Sequence, residues 1–365
     1  MIIKSCDSGS FPFVGDSSKF LEGAQRFGLN QNDESAEYFE KKIVENFLDK
    51  IGAEIDVPNY PQFRDMSEMF LSIMDGIEKL DVGYIETGAL SLKSGTSKMP
   101  EVLALQKNSQ KIQEKKGEPF EVRVCVTGPY TLSSYFPYKD ERIFGRLGKI
   151  ISQILETSLF SNNNGKTSLV SVDEPLFGLL DDPLIDFGSE GRANLQNAWE
   201  TIFQTVKSKN AQTMLHLHST ANPLFWDIKS LDIIDSHVDD PITQMKKTGE
   251  LLASKNKFLK ASITVNDFDA LIKQKLEADS PQLGESDINE KIADTWTEIK
   301  NKTVDPQIFL DTTETMTKRL ITLVERFDKY RILYAGPECG LKAYPTYENA
   351  LECLRRVSAA TNSIK

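Results

Sequence analysis

The sequence has few cysteines and no long apolar run. Four cysteines in 365 residues are too sparse for a disulfide framework, so each is a free thiol, a metal ligand or a core residue. No apolar run approaches the length of about 20 residues that a membrane helix needs. Met1-Ile2-Ile3-Lys4 at the start does not have the pattern of a signal peptide. We therefore expect a cytoplasmic protein without a membrane partner.

Basic residues are also in the minority. The chain has 43 Lys and Arg against 54 Asp and Glu, a formal charge of −11, and these residues do not cluster into the basic face that nucleic-acid binding requires. Hydrophobic residues at 39% and charged residues at 27% are typical of a globular protein. The composition therefore predicts a folded protein that does not bind nucleic acid.

The chain lacks the Pro/Gly/Ser-rich stretches of a linker, apart from the Asn-Asn-Asn-Gly turn within 161–166. Short β-branched runs instead alternate with longer amphipathic segments, which is typical of a (β/α)8 TIM barrel. We therefore predict one α/β domain over residues 1–365. The candidate strands are Ile2–Ser5, Ala53–Val57, Asp81–Glu86, Val122–Thr127, Ser168–Val172, Met214–His218, Asp232–His237, Phe258–Ile263 and Arg331–Ala335. This is one strand too many for the barrel, and we expect Asp81–Glu86 to lie outside it.

Apolar residues at three- and four-residue spacing predict the helices that connect the strands. The candidate helices are Ala36–Lys50, Met66–Lys79, Phe144–Leu159, Leu195–Lys207 and Met316–Phe327. The region from about Leu271 to Thr303 is more polar and has little apolar face. It predicts a solvated helical insertion before the last strand.

Histidine is scarce, and its distribution predicts a metal site. The only histidines are His216, His218 and His237, all within a window of 22 residues. His216 and His218 point to the same side of an extended strand because side chains alternate along it. His237 ends the next predicted strand, and neighbouring strand ends lie about 5 Å apart. Cys339 follows the last strand, between Gly336 and Gly340, and would supply a soft thiolate ligand.

The third strand-end ligand has alternatives. Asp235 and Asp239 flank His237, and a one-residue change of register decides which side chain points inward. Asp173 and Glu174 also follow a buried run, where two carboxylates can bind a ligand amine or orient a metal-bound histidine. Asp173 as an ordinary helix N-cap before Pro175 is the structural alternative.

Taken in order, these segments resemble the catalytic C-terminal barrel of cobalamin-independent methionine synthase, in particular its short single-barrel archaeal forms. The resemblance spans roughly residues 5 to 357. Its motifs are Gly9–Pro12, Arg64-Asp65-Met66, Thr127-Gly128-Pro129, Asp173-Glu174-Pro175, His216-Leu217-His218 for the family's His-x-Cys, and Pro337–Lys342 for its Pro-Asp-Cys-Gly-Leu-Lys. The last motif is highly specific, whereas Thr-Gly-Pro is not.

The resemblance implies a zinc-dependent methyltransferase that methylates the thiol of homocysteine to form methionine. Zinc would be held by His216, His218, His237 and Cys339. Ser10 and Asp173 match positions that hold the backbone groups of the amino acid, Glu174 lies beside Asp173, and Gln62 lies near an expected carboxylate contact. The family's Glu in a His-Gly-Glu segment is not found in the Asn59–Phe63 segment of this chain.

The ligand set departs from the family pattern. His218 stands where the family has cysteine, and the family's glutamate ligand falls at His237, or at Asp239 or Asp240 without a gap. A His3Cys set would leave the site near +1, so a bound thiolate would hold its electron pair more tightly. Such a site suits a methylcorrinoid donor better than methyltetrahydrofolate.

The resemblance also sets expectations for partners and for other functions. The N-terminal half of the full-length enzyme is not matched, so a separate folate-binding subunit or a corrinoid protein is the expected methyl donor partner. Alkyl transfer to another small thiol such as coenzyme M is one alternative. A non-catalytic paralogue that acts as a binding subunit is the other, because the family's second cysteine is replaced.

Overall fold

The structure is a computed structural model that describes residues 2–179, 181–282 and 284–364. Its strands are β1 Lys4–Ser5, β2 Met74–Leu80, β3 Gly83–Leu92, β4 Phe120–Thr127, β5 Gly165–Glu174, β6 Gln212–Leu217, β7 Ile233–Asp235, β8 Phe258–Thr264 and β9 Ile332–Pro337. Seven of these strands form one sheet in the order β1-β9-β8-β7-β6-β5-β4, and every neighbouring pair is parallel.

The sheet closes through a short extended segment at the place where an eighth strand belongs. Val57 forms a parallel bridge with Cys6, and Asn59 forms a parallel bridge with Arg123 on β4. The amide of Val57 donates to the carbonyl of Ser5 at 3.0 Å, and the amide of Arg123 donates to the carbonyl of Pro58 at 2.9 Å. This segment overlaps the predicted strand Ala53–Val57. The predicted barrel fold is therefore confirmed.

Strands β2 and β3 form a separate antiparallel hairpin, so Asp81–Glu86 lies outside the ring, as expected. The predicted helix Met66–Lys79 is wrong. Only Glu68–Leu71 is helical there, and the chain then enters β2. Gly76 has φ of 82° at an irregularity in the register between Asp75 and Ile77. That left-handed conformation interrupts a helix but fits a β-bulge.

Helices cover the outside of the sheet. They are α1 Ser17–Gly28, α2 Glu34–Gly52, α3 Glu68–Leu71, α4 Pro100–Lys107, α5 Ser109–Lys116, α6 Pro129–Ser133, α7 Ile143–Ser158, α8 Glu190–Ser208, α9 Pro241–Gln244, α10 Lys246–Ser254, α11 Phe268–Asp279, α12 Glu285–Lys300, α13 Thr313–Phe327 and α14 Tyr347–Asn362. Apart from the wrong segment, each predicted helix lies within or beside one of these. The polar region 271–303 contains most of α11 and α12, which bury few residues, among them Leu271, Ile288 and Ile299. The organisation of the chain as one domain stays a prediction.

The barrel has two apolar layers. The larger core lies between the strands and the surrounding helices. A smaller cluster fills the interior of the barrel and contains Cys6, Val57, Leu169, Met214, Ile233, Leu333 and Tyr334. Charged side chains also lie in the interior, where Arg123, Asp235 and Lys260 are fully buried. The apolar packing does not account for these buried charges.

Candidate metal centre

Three neighbouring strands bring polar residues to the same level of the barrel. In the parallel register, His216 on β6 is paired with Asp173 on β5 and with Asp235 on β7. Paired residues of parallel strands point to the same side of a sheet, and all three are buried. His218 lies two residues beyond His216, so alternation sends it to the same side, as the sequence predicts.

Four side chains from three loops converge at this level. The donor atoms of His216, His218, His237 and Cys339 all lie within 4.8 Å of one another. The thiol of Cys339 lies 3.6 Å from Nε2 of His218, and the rings of His218 and His237 have centroids 4.2 Å apart. We call these four residues the donor cluster. His216 is buried, whereas the other three are half-buried, so the cluster faces the mouth of the barrel.

Two atoms of the donor cluster have no partner although they are buried. Nε2 of His216 and Nε2 of His237 accept or donate no hydrogen bond within the described part of the chain. Buried polar atoms are almost always satisfied, so two unpartnered nitrogens beside a thiol need an explanation. Four N and S ligands around a tetrahedral ion lie about 3.4–3.7 Å apart. The separation of 3.6 Å between the thiol of Cys339 and Nε2 of His218 falls in this range, and no two donor atoms of the cluster lie more than 4.8 Å apart. The residues therefore fit a small tetrahedral metal ion.

His216 is oriented by a carboxylate behind it. Its Nδ1 lies 3.1 Å from Oδ2 of Asp235, which leaves Nε2 for the centre of the cluster. Burial opposes ionisation of Asp235, but the charges of Lys260 and His216 outweigh it and hold the pKa of this carboxyl well below its usual range. A histidine that contacts a carboxylate through one nitrogen and a metal through the other is a common arrangement in metal sites.

The thiol of Cys339 is prepared to be a ligand. Burial raises its pKa, but contacts with the imidazoles of His216, His218 and His237 outweigh this and bring it well below the ordinary value. Burial lowers the pKa of His216, but Asp235 and Cys339 reverse that effect and raise it to about 10. Both shifts favour the charged forms, a thiolate on Cys339 and an imidazolium on His216, and a bound cation would take the place of the imidazolium proton.

The structure separates the other candidates for the third ligand. Asp235 lies behind His216 and is not a member of the donor cluster. Asp239 is exposed, and Asp240 caps α9 by accepting from the amide of Ile242 at 2.9 Å. Of the alternatives, only His237 lies at the cluster.

Two of the predicted substrate residues, Ser10 and Gln62, are neighbours in the barrel. Ser10 forms a bridge with Gln62, and a Cβ built on Gly340 would lie 1.8 Å from the hydroxyl of Ser10. Gly340 therefore allows Ser10 to lie against the loop that carries Cys339.

Asp173 is level with His216 and accepts a hydrogen bond from Ser171 at 2.6 Å. Burial raises the pKa of Asp173, although the charges of His216 and Arg123 oppose it.

Glu174 is placed differently, because it points out of the barrel. Its carboxylate accepts from the amides of Tyr130 and Thr131 at 2.9 and 2.7 Å and from the indole of Trp199 at 2.9 Å. Burial raises its pKa to about 7, against the effect of these hydrogen bonds. We call Glu174 and these donors the Glu174 pocket. Both of its oxygens are in use, and the structure does not bring it to the donor cluster.

Two charged residues near the cluster were not singled out from the sequence. Lys260 donates to Oδ1 of Asp235 at 2.8 Å from inside the barrel. Glu338 accepts from the amides of Val238 and Asn266 at 2.9 and 3.0 Å, and so joins the loops that follow β7, β8 and β9. The signal for Lys260 was a charged residue in the middle of a buried strand, Phe-Leu-Lys-Ala-Ser-Ile-Thr. Glu338 gave no signal apart from its place beside Cys339.

Comparisons with known proteins agree with this fold. The chain is 23% identical over 240 residues to the 5-methyltetrahydropteroyltriglutamate–homocysteine methyltransferase of Streptomyces griseus, and 22% identical over 243 residues to that of Streptomyces coelicolor. Each match covers 63% of this chain but only 30% of the relative. The chain thus matches less than a third of the length of these curated relatives. No family model matches the chain.

Among solved structures, the chain is similar to a B12-independent methionine synthase from a Shewanella species, which was determined in complex with selenomethionine. The TM-score is 0.61 at 13% identity, and the match covers 100% of this chain and 98% of the other. At this identity the match establishes the fold. The resemblance to cobalamin-independent methionine synthases that the sequence predicts is confirmed by these relatives. A search of the described helices for one long and apolar enough to cross a membrane found none.

Proposed function

We propose that the chain is a zinc-dependent methyltransferase that converts homocysteine to methionine. The observation that carries this proposal is the donor cluster, with three imidazoles and a thiol within 4.8 Å and two buried nitrogens without a partner. The named activity of the Streptomyces relatives supports the same reaction.

Zinc is the metal that this set of donors favours. Imidazole nitrogen and thiolate sulfur are its usual ligands, and tetrahedral geometry is its usual arrangement. When bound, zinc would coordinate the thiol of the substrate and lower its pKa. The four residues of the donor cluster would hold the ion, and catalytic zinc sites of this kind also have room for a substrate atom. His218, His237 and Cys339 are half-buried, so the substrate would approach the cluster from their side.

The chain's own residues would orient the amino acid beside the donor cluster. Asp173 has one oxygen that Ser171 does not use, and its place level with His216 lets it accept from the substrate ammonium. Ser10 lies against the loop of Cys339, where its hydroxyl could bind the substrate carboxylate. Gln62 is the neighbour of Ser10 in the barrel and would supply a second polar contact. Glu174, with both oxygens in use, would instead hold α6 and α8 against β5.

The ligand charges favour a reactive methyl donor. Three neutral imidazoles and one thiolate leave a bound divalent ion with a net charge near +1, which makes a coordinated thiolate a weaker nucleophile. We infer that the donor is a methylcorrinoid on a separate protein rather than methyltetrahydrofolate. The half-buried donors at the mouth of the barrel leave the site accessible to such a partner.

The experiment is a methyl-transfer assay with the zinc-loaded chain, homocysteine and methylcobalamin as the probe donor. We expect methionine from the wild type and none from Cys339→Ala. Cys353→Ala is the matched control, because Cys353 is a free buried cysteine outside the donor cluster and its loss should leave the reaction intact. Coenzyme M and methyltetrahydrofolate in parallel assays test the thiol and the donor. Zinc-loaded wild type that forms no methionine with either donor would refute the proposed function.

A further inference from the structure

We propose that Lys260 is a positioning residue of the metal centre, because it joins the histidine side and the cysteine side of the donor cluster through the barrel interior. This inference rests on the metal centre of the proposed function. It assigns a task to a buried charge that neither the fold nor substrate binding explains.

The contacts of Lys260 reach both sides of the cluster. Lys260 lies on β8. Its ammonium donates to Oδ1 of Asp235 on β7 at 2.8 Å, to the hydroxyl of Ser262 at 3.3 Å and to the carbonyl of Pro337 on β9 at 2.6 Å. The other oxygen of Asp235 contacts His216 at 3.1 Å. Pro337 lies two residues before Cys339. A path of polar contacts therefore runs from His216 to the backbone two residues before Cys339.

The burial of Lys260 makes this path costly to build. The side chains of Lys260 and Asp235 are both 0% exposed. A buried ion pair often stabilises a protein less than apolar residues of the same size, so the pair is not explained by stability alone. The three N–H groups of Lys260 have three acceptors, and each acceptor belongs to a strand or loop at the carboxyl end of the barrel.

The path fixes two separate geometrical properties. Asp235 sets the orientation of the His216 ring, and Lys260 restrains the carboxylate oxygen that His216 does not use. The contact with Pro337 restrains the backbone just before Cys339. Without Lys260, His216 and Cys339 would remain at the ends of their own strands. The contacts through Lys260 would no longer fix the His216 ring relative to the Cys339 thiol.

Lys257, the residue just before β8, provides a matched control. It is also buried, and it donates to two backbone carbonyls, of Ile228 and Leu231, at 2.5 and 2.9 Å. Those contacts lie at the start of β8, away from the donor cluster. Lys257→Met therefore removes a buried lysine and its hydrogen bonds without breaking the path between the ligands.

The experiment measures Co²⁺ binding to the metal-free full chain by the visible spectrum of the bound ion, with zinc competition for affinity. We expect Lys260→Met to weaken Co²⁺ affinity about 10- to 100-fold, the range known for residues behind metal ligands, and to change the thiolate-to-cobalt absorption. Lys257→Met should keep wild-type affinity and spectrum. Urea unfolding of each variant gives its stability separately.

A second substitution keeps the test decisive if Lys260→Met does not fold. Lys260→Gln removes the charge but keeps an N–H donor near Asp235 and Pro337, and Asp235 keeps Arg123 as a charged neighbour at 3.7 Å. We therefore expect Lys260→Gln to fold and to lose less Co²⁺ affinity than Lys260→Met. Wild-type affinity in every Lys260 variant that folds, or equal losses in Lys257→Met and Lys260→Met, would overturn the positioning role. A wild type that binds neither Co²⁺ nor zinc would overturn the metal centre itself, and the inference with it, and is a distinct result.

Discussion

The donor cluster and the Glu174 pocket are two polar sites at the same end of the barrel, and they differ in whether their central groups have hydrogen-bond partners. In the Glu174 pocket, both carboxylate oxygens accept from N–H groups. In the donor cluster, two imidazole nitrogens have no partner among the described residues. A fully partnered carboxylate indicates a structural role, whereas unpartnered ring nitrogens beside a thiol indicate a place for a ligand.

Two adjacent residues, Asp173 and Glu174, point into different regions of the molecule. They are adjacent on β5, so alternation sends one into the barrel and the other out to the helices. Asp173 comes level with His216, and Glu174 reaches Trp199 on α8. The same pair of carboxylates thus contributes one residue to each region.

The largest expected effect is the loss of the metal in Cys339→Ala. Because even a residue behind a metal ligand is worth about 10- to 100-fold in affinity, removal of the thiolate should cost more than about 100-fold. Stability without metal should change little, because Cys339 is half-buried. Zinc competition titration measures the affinity, with Cys353→Ala as the control. Stoichiometric zinc in Cys339→Ala would break the assignment of the donor cluster.

Glu174→Ala should have the opposite result. Three N–H groups lose their acceptor, each at a cost of about 1–3 kcal/mol, so the free energy of unfolding should fall by about 3–5 kcal/mol after partial relaxation. Zinc affinity should stay at the wild-type level. Urea denaturation checks the first value, and Glu174→Gln, which retains one acceptor, should lose less. A variant that is stable but free of metal would contradict the division between the two regions.

Asp173→Asn should affect the substrate and not the metal. A hydrogen bond to a charged group contributes about 1.5–3 kcal/mol, so the KM for homocysteine should rise about tenfold or more. Zinc content should be unchanged. Steady-state kinetics on zinc-loaded protein provide the test, and a loss of zinc with unchanged KM would move Asp173 from the substrate to the support of the metal centre.

His218→Cys should have the smallest effect. It tests whether the charge of the ligand set limits the reactivity of a bound thiolate. A second thiolate makes the set more negative, which should raise the pKa of a bound thiol. Each unit of that rise increases thiolate nucleophilicity about threefold at the usual Brønsted slope. The rate of homocysteine alkylation by methyl iodide measures this effect. A slower rate at full zinc occupancy would show that ligand charge does not limit the reaction.

The sequence predicts the barrel well because short β-branched runs alternate with longer amphipathic segments. Of the nine candidate strands, we expect Asp81–Glu86 to lie outside the barrel, and it lies in the antiparallel hairpin of β2 and β3. The helix predicted over Met66–Lys79 fails because its apolar residues also suit a hairpin. Periodicity in such a short segment does not reveal the conformation of Gly76 or the partner strand.

At the site, the sequence predicts the four donors because histidine is rare and its spacing matches the strand period. It does not distinguish the direction of Asp173 from that of Glu174, because a one-residue register decides which of them faces the interior. Lys260, and the place of Asp235 behind His216 rather than among the ligands, escape prediction for another reason. Their pairing joins β7 to β8 across 25 residues, and only the folded register shows that the two charges meet.

Anomalous diffraction at the zinc absorption edge, on a crystal of protein produced with zinc, tests the central claim most directly. We expect one strong peak within about 2.0–2.3 Å of nitrogen or sulfur atoms of His216, His218, His237 and Cys339, with Asp235 behind His216. The absence of a peak among these side chains, in protein that has been supplied with zinc, would contradict the metal centre.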